Sequence, residues 1–494
     1  MTSKKSAASG LIVLITAHLA ALVGIFLLED LWLQLLLAMI WIWLLLASIL
    51  LLRKHVTSRQ IMAALLHVFI VSTFLNQALL SLSAGFVTLF IYRLMMLACL
   101  AFFLGMMFRQ HGLTDYWQDL PVKAYLGFFL VWAAYGALSL IWAPSFAEGL
   151  KYLLLLFMGI LFVFFSVLIF REWHDLNLFY LLWLIMSAVL IVLGLINYFA
   201  RIQLPTSSLY GGPSYKQGYP TAVFTNQNDF ATFLSISFFF YLAYVRQRQA
   251  FAAKVFGYGG AVLSAFLIYL TDSRASEFAV LIGFLCYLFL ALPRAMKKTV
   301  FTGAAVFAVV AGMFLAGSVS GKVTRLLTVE TSYSINDVPA SDTVRMHLLE
   351  STARYLAETY GAGTGAGNLS YDLQTQPVYN TNHIYEAHNW LAEITGTFGI
   401  FIGTGYLLIY LALLYCLYRF ASPLPSGDRG RILRGTLAGM IAFLISSISP
   451  SSVSNLYFQW IFLGFILTLV SVLRRETSSQ QMQRGNVKWQ LSEE

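Results

Sequence analysis

Residues able to move protons and hold anions are concentrated in one polar interval, from Gly321 to about Gly396, which interrupts an otherwise apolar chain. It holds Arg325, Arg345, Arg354, a glycine-dense run from Gly361 to Gly367, and three of the eight histidines: His347, His383 and His388. In EAHNWLAEITGTFGIFIG, Glu386 to Gly403, His388 stands where polar loop gives way to apolar helix. The positive end of a helix dipole disfavours imidazolium, so His388 is expected to be neutral near pH 7 and able to accept a proton. A lone histidine is usually structural. Here Asn389, the arginines and the glycines keep it company, and a base is the better reading.

Arginine supplies the second chemistry, a planar fork of donors that matches phosphate oxygens. Arg274 is central to TDSRAS, Thr271 to Ser276, a short turn between two apolar runs. There it either grips a phosphate or snorkels and pairs with Asp272 or Glu277. Arg345 lies in SDTVRMHLL, Ser341 to Leu349, where Ser341, Asp342 or Thr343 can cap a helix running to about Tyr360. A cation in that first turn adds to free backbone N–H groups and makes an anion site; the alternative is a pair with Asp342. YGAGTGAGN, Tyr360 to Asn368, has the glycines of a phosphate loop but no preceding strand, so it is read as a tight passage back to the membrane surface. KQGYPTAVFTNQNDFA, Lys216 to Ala231, enters an apolar run through Asn226, Gln227, Asn228 and Asp229. Such amides suit sugar hydroxyls, and Asp229 is equally a helix cap. Asn226, Asn228 and Asn389 are candidate substrate contacts, as is Arg93, which falls within an apolar run and must face protein or a cavity rather than lipid.

Membrane-spanning helices must position all of these. The chain of 494 residues is 59% hydrophobic and 11% charged, far below the roughly one quarter charged content of soluble domains. Apolar runs of spanning length fall near 10–28, 31–52, 61–80, 84–108, 122–143, 148–170, 177–200, 229–245, 254–270, 276–292, 297–317, 396–418, 432–449 and 454–473, which predicts an all-α polytopic membrane protein of 12–14 transmembrane helices. With the N-terminus inside, 22 of the 31 lysines and arginines fall in inside segments and eight outside. The positive-inside rule thus accounts for the net charge of +9 without nucleic acid. Both termini are expected in the cytoplasm. The polar interval, residues 201–228 and the Arg274 turn then share the extracytoplasmic face.

The expected division is residues 1–320 as helices with short loops, 321–395 as a large extracytoplasmic loop with short helices, 396–473 as further helices and 474–494 as a cytoplasmic tail. Cys99, Cys286 and Cys416 all lie in apolar runs, so no disulfide framework follows. No D-x-D or H-E-x-x-H pattern suggests a metal-held donor. Transporters place coupling residues near the midplane and often show related halves. The halves here look unrelated, which favours an enzyme over a transporter or a scaffold.

Taken together, Arg345 to Leu349, the run Gly361 to Asn368 and AHNWLAEITGTFG, Ala387 to Gly399, resemble the O-antigen ligase and Wzy-type polymerase superfamily, with FTNQNDFA and TDSRAS as its upstream motifs. The resemblance covers roughly residues 210–420. It implies a GT-C-like fold in a bacterial cytoplasmic membrane, a polyprenyl-pyrophosphate-linked glycan donor, a glycan acceptor, and metal-independent transfer with inversion, needing no cofactor. By motif position it implies His388 as base on the acceptor hydroxyl, with Arg274 and Arg345 on the donor pyrophosphate. A flippase and a chain-length regulator are the partners it suggests. Polymerase is favoured over ligase, and the motifs do not decide between them.

Overall fold

The computed structural model describes residues 57–75, 81–84, 87–109, 117, 120–245, 250–293, 295–303, 341–421, 427–452 and 457–490, with scattered positions between 33 and 44. The run expected near 10–28, most of those near 31–52 and 297–317, and residues 321–340 with Arg325 lie outside the described residues.

The apolar runs form long helices because lipid leaves no partner for an unpaired backbone group. In chain order they are α1 (Ser58–Leu75), α2 (Ile91–Arg109), α3 (Lys123–Leu138), α4 (Phe146–Ile169), α5 (Trp173–Ala200), α6 (Gln227–Val245), α7 (Phe251–Leu270) and α8 (Arg274–Ala291). The polar insert contributes α9 (Ser341–Glu358) and α10 (Asn368–Thr375), followed by α11 (Trp390–Ala421), α12 (Asp428–Ser446) and α13 (Tyr457–Gln490). Among the described residues ten helices are long and apolar enough to cross a membrane. The chain is therefore an all-helical polytopic membrane protein apart from one short hairpin, β1 (Ser81–Ala84) paired antiparallel with β2 (Val87–Phe90).

That hairpin corrects the sequence reading of Arg93. An apolar run over 84–108 places it well inside a span, but residues 81–84 and 87–90 are spent on the hairpin and the helix starts only at Ile91. Arg93 is thus in the first turn of α2, with its guanidinium 4.6 Å from the centre of the Phe90 ring.

Two helices form the centre. In α6 and the membrane-length part of α13, 78% and 89% of residues are buried, so both are enclosed on all sides by other helices. Helix α6 packs against α7 and α12, α8 packs against α12, and α13 packs against α4. The α4–α13 contact is close enough that a Cβ on Gly159 would fall 2.4 Å from the Trp460 ring; small residues are how membrane helices approach without voids.

The insert has its own small core of Val344, Leu348, Tyr355, Leu369, Leu373 and Ala387. Helix α9 ends when Tyr360 turns left-handed and the Gly361 N–H closes on the Leu356 carbonyl at 2.8 Å. The glycine run then lies along α11: Thr364 N–H donates to Gly396 O (2.9 Å), Gly365 N–H to Thr397 O (3.0 Å) and Ile400 N–H to Gly361 O (3.0 Å). Gly399, at φ +84°, interrupts α11 at this crossing, and a Cβ there would sit 2.4 Å from Gly361 O. Two backbones touch, and only glycine permits it. The run is a tight passage, and the amides from Gly361 to Ala366 are already bonded to protein.

Candidate active site

The site is organised by a segment outside the insert. Helix α12 ends at Ser446, and the chain passes through Ser447, Ile448, Ser449, Pro450, Ser451 and Ser452 toward α13. Trp390 N–H at the start of α11 donates to Ser447 O (3.0 Å). The Asp229 carboxylate, in the first turn of α6, accepts both the Ser451 N–H (2.8 Å) and the Ser451 hydroxyl (2.9 Å). Glu393 accepts the Ser452 hydroxyl (2.8 Å) and, from α4, the Tyr152 hydroxyl (2.9 Å). Buried carboxylates require such donors, and serines flanking a proline provide them within one turn.

Ser449, fully buried, lies in the middle of this turn and meets both kinds of predicted chemistry. His388 Nδ1 is 3.2 Å from the Ser449 carbonyl oxygen, and Arg345 Nη2 donates to the Ser449 hydroxyl at 3.4 Å. A carbonyl only accepts, so Nδ1 carries the proton and Nε2 keeps its lone pair. His388 has φ +47°, a left-handed conformation that histidine adopts more readily than most residues, and this folds its ring back over the turn. Burial lowers the imidazole pKa below the ordinary 6.5; the Ser449 carbonyl opposes this and the Arg345 charge adds to it. The neutrality expected of His388 therefore comes chiefly from burial, since α11 begins only at Trp390.

Arg274 opens α8 at the same depth. A Cβ on Gly283 would touch both the Phe239 ring and the Ala438 carbonyl, so α8, α6 and α12 share that level. Nine residues along each helix, about 13.5 Å at 1.5 Å per residue, lead to Arg274, Phe230 and Ser447. Arg274 is exposed and forms no ion pair among the described residues, so neither Asp272 nor Glu277 holds it. Arg345, half-buried in α9, likewise has no ion pair among the described residues.

The amides take mixed parts. Asn226 accepts the Asp229 N–H (3.0 Å) and Asn389 accepts the Ala392 N–H (3.0 Å), so each caps a helix, and Asn228 is half-buried in the first turn of α6. Asp229 is thus not the cap that its position suggests. Arg93 approaches the same end through Tyr92, whose ring lies 4.5 Å from that of Tyr457. The other histidines stand apart: His347 Nδ1 is 2.7 Å from Asn380 O and its ring stacks on Tyr379, while exposed His383 contacts the Tyr385 hydroxyl. Among the described residues no three His, Cys, Asp or Glu side chains converge as a metal site.

The arrangement offers a neutral imidazole beside one arginine, with a second arginine at the same depth. Sequence reasoning missed Ser449, Ser451 and Glu393. The signal was present in the serine-rich stretch between the last two apolar runs, at the end of the bundle that also receives the insert.

The family model described as O-Antigen ligase matches residues 259–408, the stretch that contains Arg274, Arg345 and His388. Over 427 residues the chain is 40% identical to the teichuronic acid biosynthesis protein TuaE of Bacillus subtilis strain 168, an alignment that covers 86% of this chain and 87% of that protein. With that identity across most of both chains, and the matched motifs gathered at one end of the helical bundle, the chain belongs to the O-antigen ligase and polymerase superfamily.

Proposed function

We propose that this chain polymerises polyprenyl-pyrophosphate-linked oligosaccharide repeat units into a cell-surface polysaccharide, by metal-independent inverting glycosyl transfer. The observation that carries the reading is the convergence of His388 and Arg345 on Ser449. The acceptor hydroxyl gives its proton to His388 Nε2 as its oxygen bonds to the anomeric carbon. The bond from that carbon to the pyrophosphate oxygen breaks on the opposite face, which inverts the centre. Its electron pair leaves with the pyrophosphate, where Arg345 and Arg274 stabilise the charge. General-base assistance is worth typically 10² to 10⁴-fold, and oriented cations at a leaving group contribute on a similar scale.

Similarity to a teichuronic acid biosynthesis protein supports polymer assembly, while the family description names an O-antigen ligase; a ligase would instead transfer a finished glycan to lipid A core or protein. Purified protein given only lipid-linked repeat units, with excess EDTA and no ion gradient, should yield a ladder of longer glycans. Product formed only after a separate acceptor is added would establish the ligase instead, and loss of activity restored by Mg²⁺ or Mn²⁺ would overturn the arginine donor site.

The same reading places the chain in a bacterial cytoplasmic membrane, with both termini inside and the site outside. A membrane-impermeant thiol reagent should reach a cysteine introduced at Thr375 and miss one at Ser426. The reverse pattern would put the site on the wrong side for a surface polymer.

A further inference from the structure

We propose that Asp229 is a positioning residue for His388, acting through the Ser447–Ser452 turn; the proposal rests on the reading of His388 as the base. Asp229 is 1% exposed, and both of its oxygens are committed to Ser451. A buried carboxylate without a cationic partner is costly to keep, and no ion pair among the described residues involves Asp229. What it does hold is a short rigid lever. Pro450 fixes its own φ, and the residue before a proline is confined to extended conformations. Once Ser451 is clamped, the direction of the Ser449 carbonyl is therefore set within narrow limits.

That carbonyl takes the Nδ1 proton of His388 and so aims Nε2. The lever is mounted on α6, one of the two enclosed helices, so its fixed end does not move with the surface of the insert. Glu393 anchors the far side of the turn through Ser452. A base must be aligned with the hydroxyl it deprotonates, and a misplacement of about 1 Å can cost on the order of 10²-fold.

The test uses full-length purified protein, a radiolabelled polyprenyl-pyrophosphate-linked glycan, and an assay able to follow about a millionth of the wild-type rate, the depth that loss of a base and of its positioning together demands. Asp229→Leu should lower kcat by roughly 10- to 100-fold with the KM for donor within about twofold of wild type. Ser451→Ala removes one of the two bonds and keeps the N–H donor, so it should lose less, roughly three- to tenfold. Asp229→Asn, which still accepts the N–H, should recover much of the rate lost in Asp229→Leu.

In a His388→Ala background, Asp229→Leu should cost almost nothing more, because the lever then has nothing to aim. If His388→Ala is crippled yet the two losses multiply, the base stands and the positioning role is wrong. If His388→Ala is fully active, the base reading itself fails. Should Asp229→Leu aggregate, Ser451→Ala carries the same comparison, and a Ser451→Ala enzyme with wild-type kcat, or with a raised KM alone, overturns the proposal.

Discussion

Arginine does opposite work at the two ends of this bundle. At the end away from the insert, Arg59 of α1 reaches the Ile169 carbonyl (2.9 Å), Glu172 (3.1 Å) and Asp175 (3.0 Å), tying α1 to the α4–α5 junction. Arg429 pairs with Glu476 at 2.8 Å and lies over the Trp173 ring, and Arg474 donates to the Pro121 carbonyl at 2.8 Å. Those arginines link different helices. At the other end the carboxylates of Asp229 and Glu393 are bound to serine and tyrosine, while Arg274 and Arg345 have no ion pair among the described residues. The pairs Lys151–Glu148 and Arg354–Glu358 found there are local to one helix. Charge is neutralised where it staples the bundle and left open where the insert folds over it. The second pattern is the one an anionic substrate requires.

The largest effect expected from this contrast is at His388. His388→Ala should lower product formation by at least about 10²-fold while folding and donor binding persist, whereas His347→Ala and His383→Ala should keep substantial activity. Quantifying labelled glycan with all three variants checks this, and a well-folded His388→Ala enzyme above about a tenth of the wild-type rate would remove the base.

Next come the open arginines. Arg274→Lys and Arg345→Lys should each lose roughly tenfold or more, since an ammonium does not reproduce the guanidinium fork. Steady-state kinetics decide it: near-normal rates with lysine at both positions would make the site end no different from the stapled one.

The pH profile sharpens the comparison further. Because His388 is held below the ordinary histidine value, kcat/KM should stay flat through neutrality and fall only as the pH drops through that lowered pKa. Arg345 contributes to the lowering, so Arg345→Gln should move the acid limb to higher pH; a limb unchanged or shifted downward would separate the two residues electrostatically.

The smallest effect belongs to the stapled end. Arg59→Ala should leave the rate per folded molecule within about twofold and lower stability by about 1 kcal/mol, as partly exposed ion pairs are worth little. Thermal unfolding in detergent measures the one and turnover the other. A large loss of turnover with intact folding would erase the distinction between the ends.

The residues of the site were unequally legible. His388, Arg274 and Arg345 stand out because an ionisable group at the edge of an apolar helix needs a reason to be there. The glycine run was also readable as a tight passage, because no strand preceded it, and the Thr364 and Gly365 amides are spent on Gly396 and Thr397. Arg93 lies within a span as read, but in its first turn rather than its middle, because a short hairpin of mostly uncharged residues is hard to tell from a helix by hydropathy. Asp229 was legible only as a cap, since a carboxylate in a first turn has that local use whether or not a distant serine claims it.

The sequence by itself determined that this is an all-helical membrane protein, which runs turn back at glycine, and which residue types are available for proton and phosphate chemistry, because hydropathy, charge bias and backbone freedom are local properties. Only the tertiary structure decided that His388, Arg345 and Asp229 meet at a serine turn. Ser449 is 61 residues from His388 and 104 from Arg345, and Ser451 is 222 from Asp229. No local pattern encodes such separations. They are set by the packing of α6, α11 and α12, which brings helix ends together and leaves buried carboxylates to find their donors across the bundle.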